Sequence, residues 1–208
     1  MVATVKTPVP SYRQEQAEAT KMRIADAAQT LFATVGYAAT SMDAIAREAG
    51  VANRTVYASF GAKRHILSQI CEHWLERAGA RALAQTILEM SDPTARLRGA
   101  ATWLTNLYST DFDVALILDA ALDEDSETRE LLRAKLRGRN RVMDSLIASV
   151  ESELVLPLTD AQAIYRALGA TGVYGELVVN AGWAPDRFER WLAETLVDQL
   201  FATPAPAA

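Results

Sequence analysis

Apolar residues recur every three to four positions along most of the chain, which is the pattern of amphipathic α-helices. The pattern predicts a first helix over about residues 18–35, with an apolar face formed by Ile24, Ala28, Leu31, Phe32 and Val35. Further helices are predicted over about residues 62–89, 94–109, 112–121, 126–153, 161–181 and 185–202. No segment shows the sustained alternation of a strand, and the closest is the short run Val155–Leu158. With two short helices between residues 40 and 60, we predict an all-α fold of about nine helices.

The segment Thr40–Lys63 has the spacing of a helix-turn-helix. Thr40 and Asp43 predict a capping-box-like start for its first helix, and Gly50 predicts the turn, where a left-handed backbone is needed. A small residue at Ala46 lets two helices cross closely, and Val56 supplies a branched apolar contact in the second helix. The alternative interpretation is two ordinary packed helices of an all-α protein.

This segment also resembles the DNA-binding domain of the tetracycline-repressor (TetR) family of transcriptional regulators. The resemblance is carried by Thr40, by the run Ile45-Ala46-x-x-Ala49-Gly50-Val51, and by Thr55-Val56-Tyr57-x-x-Phe60-x-x-Lys63. It implies a helix-turn-helix domain over residues 16–64 and a ligand-binding and dimerisation domain over residues 65–202. We expect residues 1–15 to be a disordered arm and residues 203–208 a disordered tail, since both contain prolines and little apolar pattern.

The resemblance and the position of the predicted second helix together indicate which residues contact DNA. We expect phosphate contacts at the start of the first short helix, base contacts at the exposed start of the second, and backbone contacts from two family positions. These residues are, in that order, Thr40 and Ser41; Asn53, Arg54 and Thr55; Tyr57 and Lys63. The chain departs from the family at Ala52, where a capping serine is common, so Asn53 is a candidate for the cap instead. It departs again at Ala58 and Ser59, which replace an aromatic residue and a histidine.

The charge distribution agrees with a DNA-binding N-terminal end. Residues 1–70 hold eight Lys and Arg against five Asp and Glu, a balance of +3, while the rest holds 13 against 21, a balance of −8. A mildly basic end on an acidic molecule suits contact with phosphate at that end only. Chance variation in charge is the alternative.

Two further sets of residues suggest a dimer interface and a ligand pocket. Three glycines spaced every three residues would let another helix approach closely, and with apolar residues of the last helix they predict a four-helix dimer interface of Gly169, Gly172, Gly175, Trp191 and Thr195. Bulky residues of the middle helices are candidates to line an effector pocket: Trp103, Leu107, Tyr108, Phe112, Met143, Tyr165 and Tyr174. Packing within one chain is the alternative for both sets. Six basic residues between Arg129 and Arg141 are either an anion site, for a ligand such as an acyl-coenzyme A, or a solvated face.

Other classes of site have little support in the sequence. No catalytic or nucleotide-binding motif occurs, His65 and His73 are about 12 Å apart along one helix, and the acidic run at residues 123–127 lacks the glycine of a calcium loop. We therefore expect no catalytic residue, metal or cofactor. The single cysteine, Cys71, excludes an intramolecular disulfide and is either a packing residue or a redox sensor. Neither a membrane span nor a signal peptide is predicted, so we expect a cytoplasmic protein.

These features predict a homodimeric, ligand-responsive transcriptional regulator, a repressor that leaves a near-palindromic operator when a small, partly apolar molecule binds the C-terminal domain. The alternative is a non-enzymatic small-molecule-binding or scaffold protein with a vestigial DNA domain.

Overall fold

A computed structural model describes residues 12–201, and this part of the chain contains eleven α-helices. They are α1 Tyr12–Thr34, α2 Met42–Glu48, α3 Asn53–Phe60, α4 Lys63–Arg77, α5 Ala80–Leu88, α6 Pro93–Thr110, α7 Phe112–Ala120, α8 Ser126–Ala148, α9 Leu158–Leu168, α10 Thr171–Tyr174 and α11 Pro185–Leu200. Short 3₁₀ turns follow α7 (Ala121–Asp123) and α8 (Glu151–Glu153), and a π-helix, Gly175–Asn180, follows α10. Among these residues the only β-pairing is an isolated bridge between Leu154 and Phe201. The all-α prediction is confirmed.

The predicted number of about nine helices is too low because two predicted helices are broken. Gly79 has φ 56°, a left-handed conformation that ends one helix and precedes the next, so the segment predicted over 62–89 forms α4 and α5. The segment predicted over 161–181 breaks where Ala170 is extended (φ −65°, ψ 143°), between α9 and α10. Neither break interrupts the apolar periodicity, so the periodicity alone does not reveal them.

The helix ends show which polar residues act as caps. Ser41, rather than Thr40, caps α2, and its Oγ accepts a hydrogen bond from Ala44 N at 3.1 Å. Asp92 caps α6, and Asp125, from the acidic run, caps α8 by accepting from Thr128 N at 2.9 Å. One acid of that run therefore has a structural task at a helix N-terminus.

The predicted disordered ends only partly agree with the structure. Residues 12–15, assigned to the predicted arm, form the first turn of α1. Residues 1–11 of the arm and the predicted tail at 203–208 lie outside the described residues. The last helix ends at Leu200 rather than near residue 202.

The described residues divide into two compact units, with the boundary between Ile70 and Cys71. The division falls inside α4, a few residues beyond the boundary predicted at residues 64 and 65. The first unit has a core of fully buried apolar side chains that includes Ile24, Ile45, Val56 and Ile66.

In the second unit α6 is the central helix and packs against α5, α8 and α11. Its buried face carries Leu97, Trp103, Leu104 and Leu107. Two tryptophan indoles are fixed to main-chain carbonyls there, with Trp74 Nε1 donating to Leu107 O and Trp103 Nε1 donating to Ala80 O, both at 2.8 Å.

Candidate DNA-binding surface and ligand cavity

The helix-turn-helix is built by α2, α3 and the turn between them. Gly50 has φ 65° in that turn, and Val51 N donates to Ala46 O at 3.0 Å. Ala46 and Val56 are buried between the helices, at 3% and 0% exposure. The three positions that the spacing predicted for a close helix crossing, a turn and an apolar contact therefore act as predicted.

At the start of α3 several predicted base-contacting side chains are exposed. Asn53 and Arg54 are exposed, Thr55 is half-buried, and Tyr57 is 50% exposed on the next turn. Asn53 is the first helical residue rather than the cap, because the cap position is Ala52, which makes no side-chain hydrogen bond. Asn53 Nδ2 donates instead to Asp43 Oδ1 of α2. This bond orients the Asn53 amide and leaves its oxygen available as an acceptor.

Thr40 differs from the other predicted DNA contacts because its side chain is buried. Its hydroxyl donates to Gly36 O at 2.7 Å, and only 4% of the residue is exposed. This speaks against the predicted phosphate contact from Thr40. Ser41 is exposed, and since its oxygen accepts from the backbone, its hydroxyl proton remains available to a phosphate.

Lys63 has a structural role in the first unit. Its ammonium donates to the carbonyl oxygens of Tyr37, of Ala38 at 3.3 Å and of Thr40 at 3.0 Å, and it lies 4.2 Å from the centroid of the Tyr37 ring. An ammonium has three donors, so these three carbonyls occupy them. Lys63 thus stabilises the loop that leads into α2.

A cavity of about 510 Å³ lies in the second unit. Its walls come from the last turns of α4, from α5, α6, α7 and α8, and from Thr171 of α10. The apolar wall is formed by Trp74, Leu75, Ala80, Trp103, Leu107, Ala115, Leu118, Leu132, Leu136 and Val142. This volume falls within the roughly 300–1,000 Å³ of typical small-molecule sites.

Of the residues predicted to line an effector pocket, Trp103 and Leu107 line this cavity. The other five, Tyr108, Phe112, Met143, Tyr165 and Tyr174, do not belong to its lining. Tyr165 is instead a core residue whose hydroxyl donates to Ala100 O at 2.6 Å, and burial raises the pKa of its phenol. Phe112 and Tyr174 pack ring against ring, with centroids 4.8 Å apart. For these residues packing within the chain is the better interpretation.

The charged residues that line the cavity were not among those predicted from the sequence to line an effector pocket. Charged residues of its lining are Glu72, Arg81, Asp119, Lys135, Arg139 and Arg141. Lys135 pairs with Glu72. Three of the six basic residues between positions 129 and 141 belong to the cavity lining, and Arg141 among them is exposed. Lys135 and Arg139 follow Leu132 at helical spacing along one face of α8. That spacing is the signal that would have separated Lys135 and Arg139 from the solvated residues.

Cys71 lines the cavity and is 4% exposed. Burial raises the pKa of its thiol from 9.0 to about 11, Lys135 opposes this rise, and Glu72 adds to it. The thiol is therefore protonated at neutral pH. A protonated, buried thiol reacts slowly with oxidants and favours the packing interpretation over redox sensing.

The three glycines of the predicted dimer interface have different surroundings. A Cβ on Gly169 would lie 2.9 Å from both Leu104 Cδ2 and Met143 Cε, so this glycine permits close packing within the chain. Gly175 faces Phe112, whereas Gly172 is exposed, and a Cβ added to it would have no neighbour within 4 Å. The three glycines therefore do not form one ridge, and only Gly172 is open to a partner.

Two residues of α11 were also predicted for that interface. Trp191 is half-buried and packs against Phe188, with ring centroids 5.7 Å apart, and against Trp183 at 6.1 Å. Thr195 is half-buried and donates to Trp191 O at 2.7 Å.

Metal and membrane sites find no support within residues 12–201. This part of the chain holds no group of three or more His, Cys, Asp or Glu side chains arranged for a metal ion. None of its helices is both long and apolar enough to cross a membrane.

Comparison with known proteins gives a family match and many similar folds. Residues 24–70 match the family described as "Bacterial regulatory proteins, tetR family". No curated protein matches the sequence. Among solved structures, FadR from Bacillus subtilis in complex with stearoyl-CoA has a TM-score of 0.69 and 21% identity, over 85% of this chain and 97% of that chain.

Two further structures share the fold. FadR from Bacillus halodurans, a fatty acid degradation regulator, has a TM-score of 0.71 and 19% identity, over 92% of this chain and 97% of that one. NalD, the secondary repressor of the MexAB-OprM multidrug efflux pump in Pseudomonas aeruginosa, has a TM-score of 0.61 and 22% identity, over 89% and 98%. The similarity of fold spans both units, and the segment at residues 24–70, which contains the helix-turn-helix, matches the TetR family of bacterial regulatory proteins.

Proposed function

We propose that this protein is a transcriptional regulator whose affinity for its DNA operator changes when a small molecule binds the cavity of the second unit. The observation that carries the proposal is the helix-turn-helix of residues 41–60, in which α3 is fixed by buried Val56 and exposes its first turn. An exposed helix start on a fixed support is the element that such domains place in the major groove.

The contacts with DNA divide into base and phosphate contacts. The exposed guanidinium of Arg54 donates hydrogen bonds to a guanine base. The amide of Asn53 is oriented by its hydrogen bond to Asp43, and its oxygen accepts a hydrogen bond from a base. Thr55, half-buried beside them, is a minor contributor. Ser41 and Tyr57 are exposed hydroxyl donors for phosphate. Lys63 acts on the phosphate backbone chiefly through the loop that it holds in place.

The protein acts as a homodimer in this proposal. The interface uses the open backbone at Gly172, the exposed Val179 and the half-buried Trp191 and Thr195. Val179 is 61% exposed, so a partner subunit at this face would cover its apolar side chain. A two-fold dimer requires a near-palindromic operator.

Regulation by ligand follows from the residues that line the cavity. Glu72 and Trp74 belong to α4, whose first residues, from Lys63 to Ile70, belong to the first unit. A ligand that favours one position of α4 would therefore favour one state of the DNA-binding unit. The free energy of this shift equals the difference between the ligand's binding free energies for the two states. The structure of FadR in complex with stearoyl-CoA supports this proposal, because it shows that a protein of the same fold binds a small molecule. We propose release of the operator on binding, and no catalytic role.

An electrophoretic mobility shift with the DNA upstream of its own coding sequence tests the proposal. We expect a retarded complex that survives an excess of unrelated duplex and forms with half-maximal binding below the micromolar range of non-specific contacts. Equal retardation of unrelated DNA, or none, would favour the alternative of a small-molecule-binding or scaffold protein with a vestigial DNA domain. Sedimentation of the same sample tests the dimer, which a stable monomer at micromolar concentration would exclude.

A further inference from the structure

We propose that the ligand of the cavity is an organic anion with an apolar body, and that its acidic group binds the guanidinium of Arg139. This inference rests on the proposed ligand-binding role of the cavity and adds the chemical class of the ligand. Three features support it: the lining of the cavity, the balance of charge within it, and the hydrogen bonds of Arg139.

The apolar lining requires an apolar body in the ligand. Two indoles, of Trp74 and Trp103, face the cavity beside Leu107 and Leu118. Both indole N–H groups already donate to main-chain carbonyls. The rings therefore offer the cavity apolar surface and no free donor, and a chain or ring of carbon atoms is the group that this surface favours.

The charge of the lining favours an anion. Four basic side chains (Arg81, Lys135, Arg139 and Arg141) face two acidic ones (Glu72 and Asp119), which leaves an excess of two positive charges. Glu72 and Lys135 pair with each other, so their charges largely cancel and Lys135 is not free to anchor a ligand. Three basic groups and one acid remain, of which Arg81, Arg141 and Asp119 are exposed and act through solvent, whereas Arg139 is half-buried and has the strongest electrostatic effect on a bound anion.

Arg139 is the anchor because its hydrogen bonds are incomplete. Its Nη1 donates to Tyr108 Oη at 3.1 Å. Its Nε is buried and has no hydrogen-bond partner within the described residues. The Nε and Nη2 donors form one edge of the guanidinium. Because Nε is buried, a carboxylate binds this edge with two parallel hydrogen bonds once the side chains around Nε shift on binding. An anion at this position would supply the missing acceptor, and a buried donor without an acceptor is otherwise unfavourable.

Tyr108 holds the guanidinium ready for this contact. Its hydroxyl lies 2.8 Å from Gly169 O, to which it donates, and 3.5 Å from Thr171 Oγ1. The hydroxyl therefore accepts from Arg139 and donates its own proton to the main chain at the break between α9 and α10. Arg139 is thus positioned before a ligand arrives, which lowers the cost of binding.

A cationic ligand is the main competing class, since tryptophan rings attract cations. It is disfavoured here because Glu72 is neutralised by Lys135 and Asp119 is outnumbered by the arginines. A cationic probe beside an anionic one distinguishes the two classes.

The test uses three probes with the same ten-carbon chain: decanoate, decanol and decyltrimethylammonium. Binding to the full chain is measured by isothermal titration calorimetry below the aggregation concentration of each probe. We expect decanoate to bind at least tenfold more tightly than decanol. Arg139→Met should weaken decanoate binding by about 10- to 100-fold, the usual loss for a charge-assisted hydrogen bond, and leave decanol unchanged.

Arg137→Met is the matched control, because Arg137 is two residues away on α8, exposed, and absent from the cavity lining. It should bind decanoate as the wild type does. If Arg139→Met is unfolded by circular dichroism, Arg139→Lys replaces it, and the loss of the two-donor edge should still weaken decanoate binding at least threefold while decanol is unaffected.

The inference is overturned if decanol or the cation binds as tightly as decanoate, if no probe binds, or if the Arg139 variant binds decanoate like the wild type. Failure of the proposed function is separate, because it shows in the mobility shift without any probe. A protein that binds its operator selectively but prefers decanol would keep the proposed function and lose the anion.

Discussion

The ammonium of Lys63 lies 4.2 Å from the centre of the Tyr37 ring and donates to the main-chain carbonyl of the same residue. The contact joins the first residue of α4 to the segment between α1 and α2, 26 residues earlier. Two more carbonyls of that segment, of Ala38 and Thr40, share the ammonium. A family position expected to contact the DNA backbone therefore stabilises the approach to α2.

Substitution of Lys63 should consequently affect both stability and DNA binding. In Lys63→Ala three carbonyls lose a charged donor, and we expect the free energy of unfolding to fall by about 1–3 kcal/mol. DNA affinity should fall by a similar factor for specific and unrelated sequences. Urea denaturation and fluorescence anisotropy measure the two effects. Arg23→Ala, on the exposed face of α1, is the stability control. Unchanged stability in Lys63→Ala would refute the structural role.

Arg54 should behave differently from Lys63, since its side chain is exposed at the start of α3. Arg54→Ala should leave the unfolding transition in place and relax the preference at a particular base pair of each half-site, at about 1–3 kcal/mol per bidentate contact. Binding to a set of single-base operator variants measures this. A uniform loss across all variants would assign Arg54 to phosphate instead.

The glycines at positions 169 and 172 provide a matched pair of substitutions. Gly169→Ala places a methyl group 2.9 Å from the flexible ends of Leu104 and Met143 and 3.1 Å from the main-chain oxygen of Tyr165, so we expect a loss of about 1 kcal/mol in the free energy of unfolding. Gly172→Ala meets nothing within 4 Å in one chain. Its fold should therefore be as stable as the wild type, while the dimer dissociation constant rises if Gly172 faces a partner. Thermal unfolding measures the effect on stability, and sedimentation equilibrium measures the effect on dimerisation. A dimer weakened by Gly169→Ala but not by Gly172→Ala would place the interface at Gly169.

Cys71 gives a prediction on pH and reactivity. Its thiol has a pKa raised from 9.0 to about 11 by burial, so deprotonation favours the unfolded chain. This contribution to stability is complete below about pH 9 and is lost as pH rises towards 11. Iodoacetamide at pH 7.5 should label the native protein far more slowly than the protein in urea, and Cys71→Ala should show a smaller loss of stability above pH 9. Rapid labelling of native Cys71 would restore the redox hypothesis.

The sequence predicted those parts of the fold that local patterns encode. Gly50 requires a left-handed turn, Val56 is a branched apolar residue at the crossing of two helices, and both lie where the spacing placed them. The ends of α6 and α7 were predicted for the same reason, since Asp92-Pro93 and the apolar run of α7 are local signals. The breaks at Gly79 and Ala170 were missed because the apolar periodicity continues through them.

The ligand site was harder to predict because it depends on which helix faces meet. Tyr108 and Tyr165 have the composition expected of pocket residues, but their hydroxyls are satisfied by main-chain carbonyls in the core. Arg139 looks like a solvent-facing residue in a run of basic side chains, and only the packing of α8 brings it to the cavity. Gly169 illustrates the same point, since its neighbours at Leu104 and Met143 are distant in sequence.

Selection of bound duplexes from a pool of random DNA tests most directly whether the helix-turn-helix reads sequence. We expect successive rounds to enrich one motif with two-fold symmetry, whose half-sites are read by the two copies of α3 and lie about one helical turn apart or a multiple of it. Arg54→Ala selected in parallel should enrich a motif that is degenerate at one position of each half-site. A pool that remains random with the wild-type protein would contradict the proposed function.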